Sequence, residues 1–516
     1  MPSPWLIEKV EKGATNCIII GDVEESLLQR EIQYHPQGLL HLTETKKKHL
    51  RVNNPKLIQL SLSDISDDKL FEITEGFIAQ NYQSIPSAKV SASVEGFQDS
   101  IYKKAFDNIT LTFDSTLRAR ITRKEMGDLK QFNILKNLAP YLSQRISPSL
   151  KGSLKDFPIV IIGAGPSLDI SLPLIKEWKF PHYIIAADSA IKALDKTGIE
   201  PDFIVSIDPG KAYNQCANTG YKKGLAILNS TSHPSWYNIW KNDSRIISGN
   251  VLSEDWLENH GIQKTKVQAI NNVGLTAIML ANFLGSELIL LAGMDLSTES
   301  KSSGNRYASI TERDVIIATN RSFSIPGNFQ KTVETPFLSD WKDTANFCEK
   351  ISSKKQIINI NDRGAVIAGS TLIHPNQSSE LAETLISHFN KPKSASIDLS
   401  LTANASTEET DKLLTKLIQS VDWAKSIITP LLENNISEQQ KLQGIVTIIQ
   451  NEDISRFFGD YSFTVMPELL NRQNLTSQKL DEMLKRLQFY IWTLEDAVLK
   501  CNISEKFLSK FLLENV

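Results

Sequence analysis

The stretch Phe157-Pro-Ile-Val-Ile-Ile-Gly-Ala-Gly-Pro-Ser-Leu-Asp169 leaves this chain few folds to choose from. Ile159 to Ile162 is apolar and β-branched throughout, the composition of a parallel strand buried on both faces. It runs straight into Gly163 and Gly165, and a helix is expected from about Ser167. Glycines in such a turn permit positive φ and the close approach of a ligand, while the free N–H groups and positive dipole end of the helix face an anion. Ser167 can cap the helix or donate to a phosphate oxygen. Leu168 stands where the dinucleotide fingerprint has its third glycine, and no Gly-Lys-Ser or Gly-Lys-Thr makes the turn a triphosphate loop. The alternative is a strand-to-helix turn that needs glycine for geometry alone.

Further strands end in polar tips. Tyr183 to Ala187 leads into Asp188 and Ser189, and Pro201 to Ile207 into Asp208-Pro209. Leu225 to Leu228 precedes Asn229, Asn271-Asn272-Val-Gly274 precedes a helical run, Glu287 to Ala292 precedes Gly293-Met-Asp295, and Gln356 to Ile360 precedes Asn361-Asp362-Arg363-Gly364. Strand alternating with helix argues an α/β domain with a mostly parallel sheet, in which the carboxyl ends line one ligand crevice.

The Gly-Ala-Gly-Pro-Ser-Leu-Asp turn, Ala187-Asp188-Ser189-Ala190, Pro201-Asp202 through Asp208-Pro209, Gly274, Gly293-Met-Asp295 and Gly364-Ala365 fall in the order that resembles the motility accessory factor family. The central domain of that family is similar to 6-hydroxymethylpterin diphosphokinase and to bacterial sialyltransferases, which implies a Rossmann-like sheet. The resemblance spans about Arg118 to Gly369. It implies a bacterial glycosyltransferase of the motility apparatus, moving a nonulosonic acid of pseudaminic or legionaminic type from a CMP-sugar to Ser or Thr of flagellin. On this chain the nucleotide contacts would be Gly163, Gly165, Ser167, Asp188, Ser189 and Asp208, with Gly274 and Arg363 also at the cofactor-binding side.

One departure bears on mechanism. Related sialyltransferases use a histidine base, whereas no histidine occurs between Gly261 and Ile373. Asp295 and Glu334 are the candidate catalytic carboxylates, either able to take a hydroxyl proton within hydrogen-bond reach. Arg306, Tyr307 and Arg363 could bind a sugar carboxylate or the departing phosphate, a task suited to guanidinium geometry. No cofactor is required on this reading, the CMP-sugar being a substrate; magnesium at strand-tip acids remains open.

Three regions are expected: residues 1–130 as a small α/β domain, 131–390 as the glycosyltransferase-like domain, and 391–516 as a polar linker followed by a helical bundle that engages the acceptor protein or simply caps the fold. In the first, Asn16 to Gly21, Gly38 to Leu42 and Leu57 to Leu60 read as strands, with a helix over Val23 to Ile32. Arg118, Arg120 and Arg123 enter the second on a helix. In the third, Ser406 with Glu409 and Ser437 with Gln440 make capping boxes, and Phe507 to Leu513 reads as a last helix.

A net charge of −3 gives no reason to expect nucleic acid or an acidic membrane as partner. Cys17, Cys216, Cys348 and Cys501 lack paired spacing and fit reduced thiols. No apolar run reaches the roughly 20 residues a membrane span needs, and the N-terminus lacks a secretory pattern, so a cytoplasmic location is expected. Two other functions stay open: a pterin diphosphokinase using ATP and magnesium held by Asp188, Asp208 or Asp295, and a non-catalytic nucleotide-sugar-binding factor for flagellar assembly.

Overall fold

The computed structural model describes residues 3–10, 13–50, 52, 54–79, 85–270, 272–299, 304–313, 322–389, 391–393, 402–403, 407–433, 436–461, 465, 469 and 475–501. The chain divides into two compact units, residues 1–125 with 466–472 and residues 126–465 with 473–516.

In the first unit, five strands form one sheet: β1 (Trp5–Lys9), β2 (Asn16–Ile20), β3 (Gly38–Thr43), β4 (Leu57–Ser61) and β5 (Ser87–Ser91), in the order β1-β5-β2-β3-β4. Only β1 runs antiparallel to its neighbour. The alternation of strand faces explains the layers, since Ile18 and Ile20 enter one apolar cluster while Cys17 and Ile19 enter the other. The helix expected at 23–32 spans Glu25–Tyr34.

The second unit is built on ten strands. These are β6 (Arg145–Ile146), β7 (Ile159–Ile162), β8 (Tyr183–Ala187), β9 (Phe203–Ser206), β10 (Leu225–Leu228), β11 (Ser244–Ile246), β12 (Leu288–Ala292), β15 (Gln356–Ile360), β16 (Thr371–Ile373) and β17 (Thr402–Ala403); the hairpin β13 (Phe323–Pro326) and β14 (Thr332–Thr335) lies outside the sheet. The order is β16-β15-β12-β7-β8-β9-β10-β11-β6-β17, parallel throughout except for β17. Ile159 and Ile161 of β7 pack on one face, Val160 and Ile162 on the other, as a doubly covered strand requires. The order runs outward from β7 in two directions, through β8 on one side and β12 on the other. That reversal is where open α/β sheets bind ligands.

The boundary expected at 390 falls inside this second unit. Part of the expected linker joins the sheet as β17, with residues 394–401 and 404–406 outside the described residues. Helices Thr407–Leu431, Glu438–Gln450, Glu452–Phe457 and Ser477–Lys500 follow. Trp256 packs edge-on to Phe457 at 5.4 Å and donates through Nε1 to Asp453 at 3.0 Å. Asp128 accepts from the Tyr490 hydroxyl at 2.8 Å and pairs with Arg486 at 2.9 Å. The Ser437–Gln440 capping box is present. Ser406 and Phe507 to Leu513 lie outside the described residues, as do the side chains of Arg118, Arg120 and Arg123. No helix among the described residues is long and apolar enough to cross a membrane.

Candidate functional site

At the tip of β7 the glycine turn is occupied by another part of the protein. Gly163 N–H donates to the Ala292 carbonyl at 2.8 Å, and Gly165 N–H to the Gly293 carbonyl at 2.8 Å. Neither glycine has a positive φ. What they supply is room: a Cβ on Gly165 would lie 2.8 Å from both the Asp295 carboxyl carbon and the Gly293 oxygen. Ser167 donates to Asp295 Oδ2 from its backbone at 3.2 Å and from its hydroxyl at 2.8 Å, just before the helix Leu168–Lys176. The positive helix end expected to face a phosphate therefore faces the carboxylate of Asp295.

Asp295 is 2% exposed, and its Oδ1 has no hydrogen-bond partner. Burial pushes its pKa up to about 6, against the Ser167 hydrogen bonds, which favour the ionised form; Asp362 adds to the rise and Arg363 opposes it. The next residue, Leu296, is held at φ 51°, a conformation that costs a branched side chain energy and concentrates at functional sites. Gly364, at φ +76°, fits against Asp295, where a Cβ would stand 2.9 Å from its Cα. Ala365 N–H donates to the Asp295 carbonyl at 2.8 Å.

The β13–β14 hairpin covers the tips of β12 and β15. Asn328 N–H donates to the Gly364 carbonyl at 2.9 Å, Val366 N–H to the Pro326 carbonyl at 2.9 Å, and Thr298 N–H to the Glu334 carbonyl at 2.9 Å. Between hairpin and strand tips opens a pocket whose lining includes Thr298, Phe329, Thr332, Glu334, Arg363 and Gly364. The structure thus brings Glu334 and Arg363 to one cavity beside the buried Asp295. Glu334 accepts from the Ser322 hydroxyl at 2.8 Å. Arg363 is held by Asp362 through two hydrogen bonds of 3.0 and 2.7 Å. Arg306 instead lies over the rings of Tyr307 and Phe337 and donates to the Tyr307 hydroxyl at 2.7 Å.

A second group sits at the tips of β8 and β9. Asp188, fully buried, accepts from Ser206 at 3.0 Å on one oxygen and from Ser189 and Lys211, each at 3.0 Å, on the other. Burial opposes the charge on Lys211, yet Asp188 first, then Tyr307, Asp208 and Cys216, hold its pKa above the usual lysine value. Arg313 Nη1 reaches Ser189 Oγ and Cys216 Sγ, each at 3.3 Å. Asp208 is half-buried and accepts from Gly210 N–H at 2.9 Å. Gly274 opens the helix Val273–Leu284 against the Met294 side chain, where a Cβ would meet the sulfur at 2.9 Å; its place is one of packing beside the tip of β12.

Lys211, Arg313 and His233 were not singled out from sequence. His233 follows β10 at the same edge, its Nδ1 2.8 Å from the Ser235 hydroxyl. The signal for Lys211 was in view, three residues after Asp208 in Asp-Pro-Gly-Lys; nothing local marks Arg313. As for metals, Cys17, Glu31 and His35 in the first unit are the one such cluster among the described residues, with ligand atoms within 4.8 Å of one another, and Lys89 already pairs with Glu31 there at 2.9 Å. Both oxygens of Asp188 are engaged by protein donors.

Sheet order and strand-tip crevice define an open, doubly wound α/β protein, and comparison with known proteins agrees with that fold. Residues 132–301 match the family described as 6-hydroxymethylpterin diphosphokinase MptE-like. The fold is similar to that of the MAf glycosyltransferase from Magnetospirillum magneticum AMB-1, with a TM-score of 0.52 and 15% identity over 97% of this chain and 82% of that one. An uncharacterized protein of Treponema pallidum (strain Nichols) is 35% identical over 83 residues, 16% of this chain; the chain spans 39% of the length of that relative. The matched domain and the shared fold support the resemblance to the motility accessory factor family with an MptE-like domain.

Proposed function

We propose that the protein is a glycosyltransferase that moves a nonulosonic acid from its CMP-activated form to Ser or Thr hydroxyls of flagellin. The observation that carries this reading is the pocket between the hairpin and the tips of β12 and β15, which presents the carboxylate of Glu334 and the guanidinium of Arg363 to one space, with Glu299 and Asp362 also in its lining. The donor nucleotide would lie along the tips of β7, β8 and β9, where open α/β sheets take their ligands. In the transfer, the bond from the anomeric carbon to the phosphate oxygen breaks and its electron pair leaves with CMP. The acceptor hydroxyl oxygen attacks that carbon, and its proton passes to Glu334 as general base. Arg363 balances the sugar carboxylate. Asp295 is too enclosed to reach a protein hydroxyl; it organises the turn through Ser167.

A second reading, ATP-dependent diphosphate transfer to a pterin, is favoured by the family matched over residues 132–301. The test is a thermal-shift panel of CMP, CDP, ATP with magnesium, and GTP on the full chain, followed by incubation with CMP-nonulosonic acids and flagellin and intact-mass readout. A ligand at about 100 times its dissociation constant stabilises by about 2.7 kcal/mol. Stabilisation by CMP and a mass gain of one nonulosonic acid per modified hydroxyl are expected. Stabilisation by ATP with magnesium alone would move the assignment to the diphosphokinase, and CMP binding without any transfer would move it to a non-catalytic binding factor.

A further inference from the structure

Two cations converge on one hydroxyl at the tip of β8. Ser189 Oγ accepts from Lys211 Nζ at 2.9 Å and from Arg313 Nη1 at 3.3 Å, and donates to Asp188 at 3.0 Å. Among the described residues, Asp188 is the one carboxylate within ion-pair distance of Lys211, and Arg313 has none. Asp208 adds to the field at Lys211 from farther away. Arg313 rests its guanidinium 5.0 Å from the centre of the Tyr307 ring, and its Nε and Nη2 groups donate to no described residue. Guanidinium carries five donors in a fork that matches phosphate oxygens, and a lysine beside it adds a point charge. The glycine turn, by contrast, is filled by the buried carboxylate of Asp295, which would repel a phosphate.

We infer that Lys211 and Arg313 form the seat for the phosphate group of the ligand, with Ser189, whose hydroxyl proton goes to Asp188, holding the two cations together, and that the glycine turn at Gly163 to Ser167 is not that seat. Asp188 is then a positioning residue, holding Lys211 toward the seat, and touches no ligand itself. This deepens the proposed function and rests on it for the identity of the nucleotide.

The test is calorimetric binding of CMP, cytidine and inorganic pyrophosphate to the full chain, to Arg313→Gln, and to the charge-neutral double variant Lys211→Gln with Asp188→Asn. CMP should bind the unmodified chain at least about tenfold more tightly than cytidine, a ratio equivalent to about 1.4 kcal/mol. Arg313→Gln should lose that tenfold for CMP with cytidine unchanged, and the double variant should do the same. Equal affinity for CMP and cytidine in the unmodified chain, or CMP affinity unaltered in Arg313→Gln, overturns the seat. Should the unmodified chain bind no CMP, the donor assignment fails separately. Pyrophosphate binding that depends on Arg313 then upholds the seat, and absence of pyrophosphate binding overturns it.

Discussion

The hydroxyl of Ser167 donates to the carboxylate of Asp295 at 2.8 Å, joining two strand tips that lie 128 residues apart in sequence. Through this bond the turn after β7 and the loop after β12 behave as one structure, and substitutions in either should be felt in both.

Gly165→Val would drive a branched side chain into the Asp295 carboxylate and the Gly293 carbonyl. Overpacking of this kind costs about 1–3 kcal/mol. Urea unfolding of the variant should show a lowered midpoint with unchanged slope; an unaltered midpoint would mean that the turn is looser than described.

Asp295 titrates near pH 6 in the folded chain against an ordinary value of 3.8, because burial penalises its charge. Between those values the unfolded chain has released a proton that the folded chain retains, so stability falls as pH rises from about 4 to 6. The drop is on the order of 3 kcal/mol. Asp295→Asn removes this component while leaving an oxygen for Ser167, so the stability of the variant relative to the parent should climb through that window and level off above it. Parallel stability curves for the two proteins would refute the assignment.

Lys211→Met leaves Asp188 buried without its cation and should destabilise by about 3–5 kcal/mol. Adding Asp188→Asn should recover most of that loss. The comparison is a double-mutant cycle by thermal unfolding, and additive losses would show that the pair is not coupled.

Glu334→Gln should slow sugar transfer by about 100-fold or more while CMP binding persists, since a removed general base acts on the chemical step. Full transfer activity in this variant would remove Glu334 from the reaction.

Phe457 is 1% exposed and packs on Trp256. Phe457→Ala should cost about 3–5 kcal/mol, read as a lowered denaturation midpoint of the second unit. A variant as stable as the parent would show that these helices add little to the core.

The parts of the fold legible in the sequence are those where burial writes itself into composition. β7, β8, β10, β12 and β15 are runs of four or five mostly apolar residues and stand where the reading put them. β6, β11 and β17 were not legible, because Arg145-Ile146, Ser244-Arg-Ile246 and Thr402-Ala403 are two or three residues long and partly polar. β1 and β5 were missed for a similar reason, Ser87-Ala-Lys-Val-Ser91 being buried with Lys89 paired to Glu8 and Glu31. At the candidate site, Glu334 and Arg363 were both named from sequence, but their sharing of one pocket depends on a hairpin that no local pattern announced. The contact between Ser167 and Asp295 was equally hidden, since a glycine that accommodates a distant side chain reads the same as one that accommodates a ligand.

The packing of the C-terminal helices Glu452–Phe457 and Ser477–Lys500 on the helices that carry Trp256 and Asp128 bears on how such a protein can be altered. With Trp256, Phe457, Asp128 and Tyr490 shared across that junction, the tail is not a detachable module. A chimera that exchanged it for the corresponding segment of a relative would have to inherit matching partners at 128 and 256, so changes in these helices are constrained to travel together with changes in the layer beneath them.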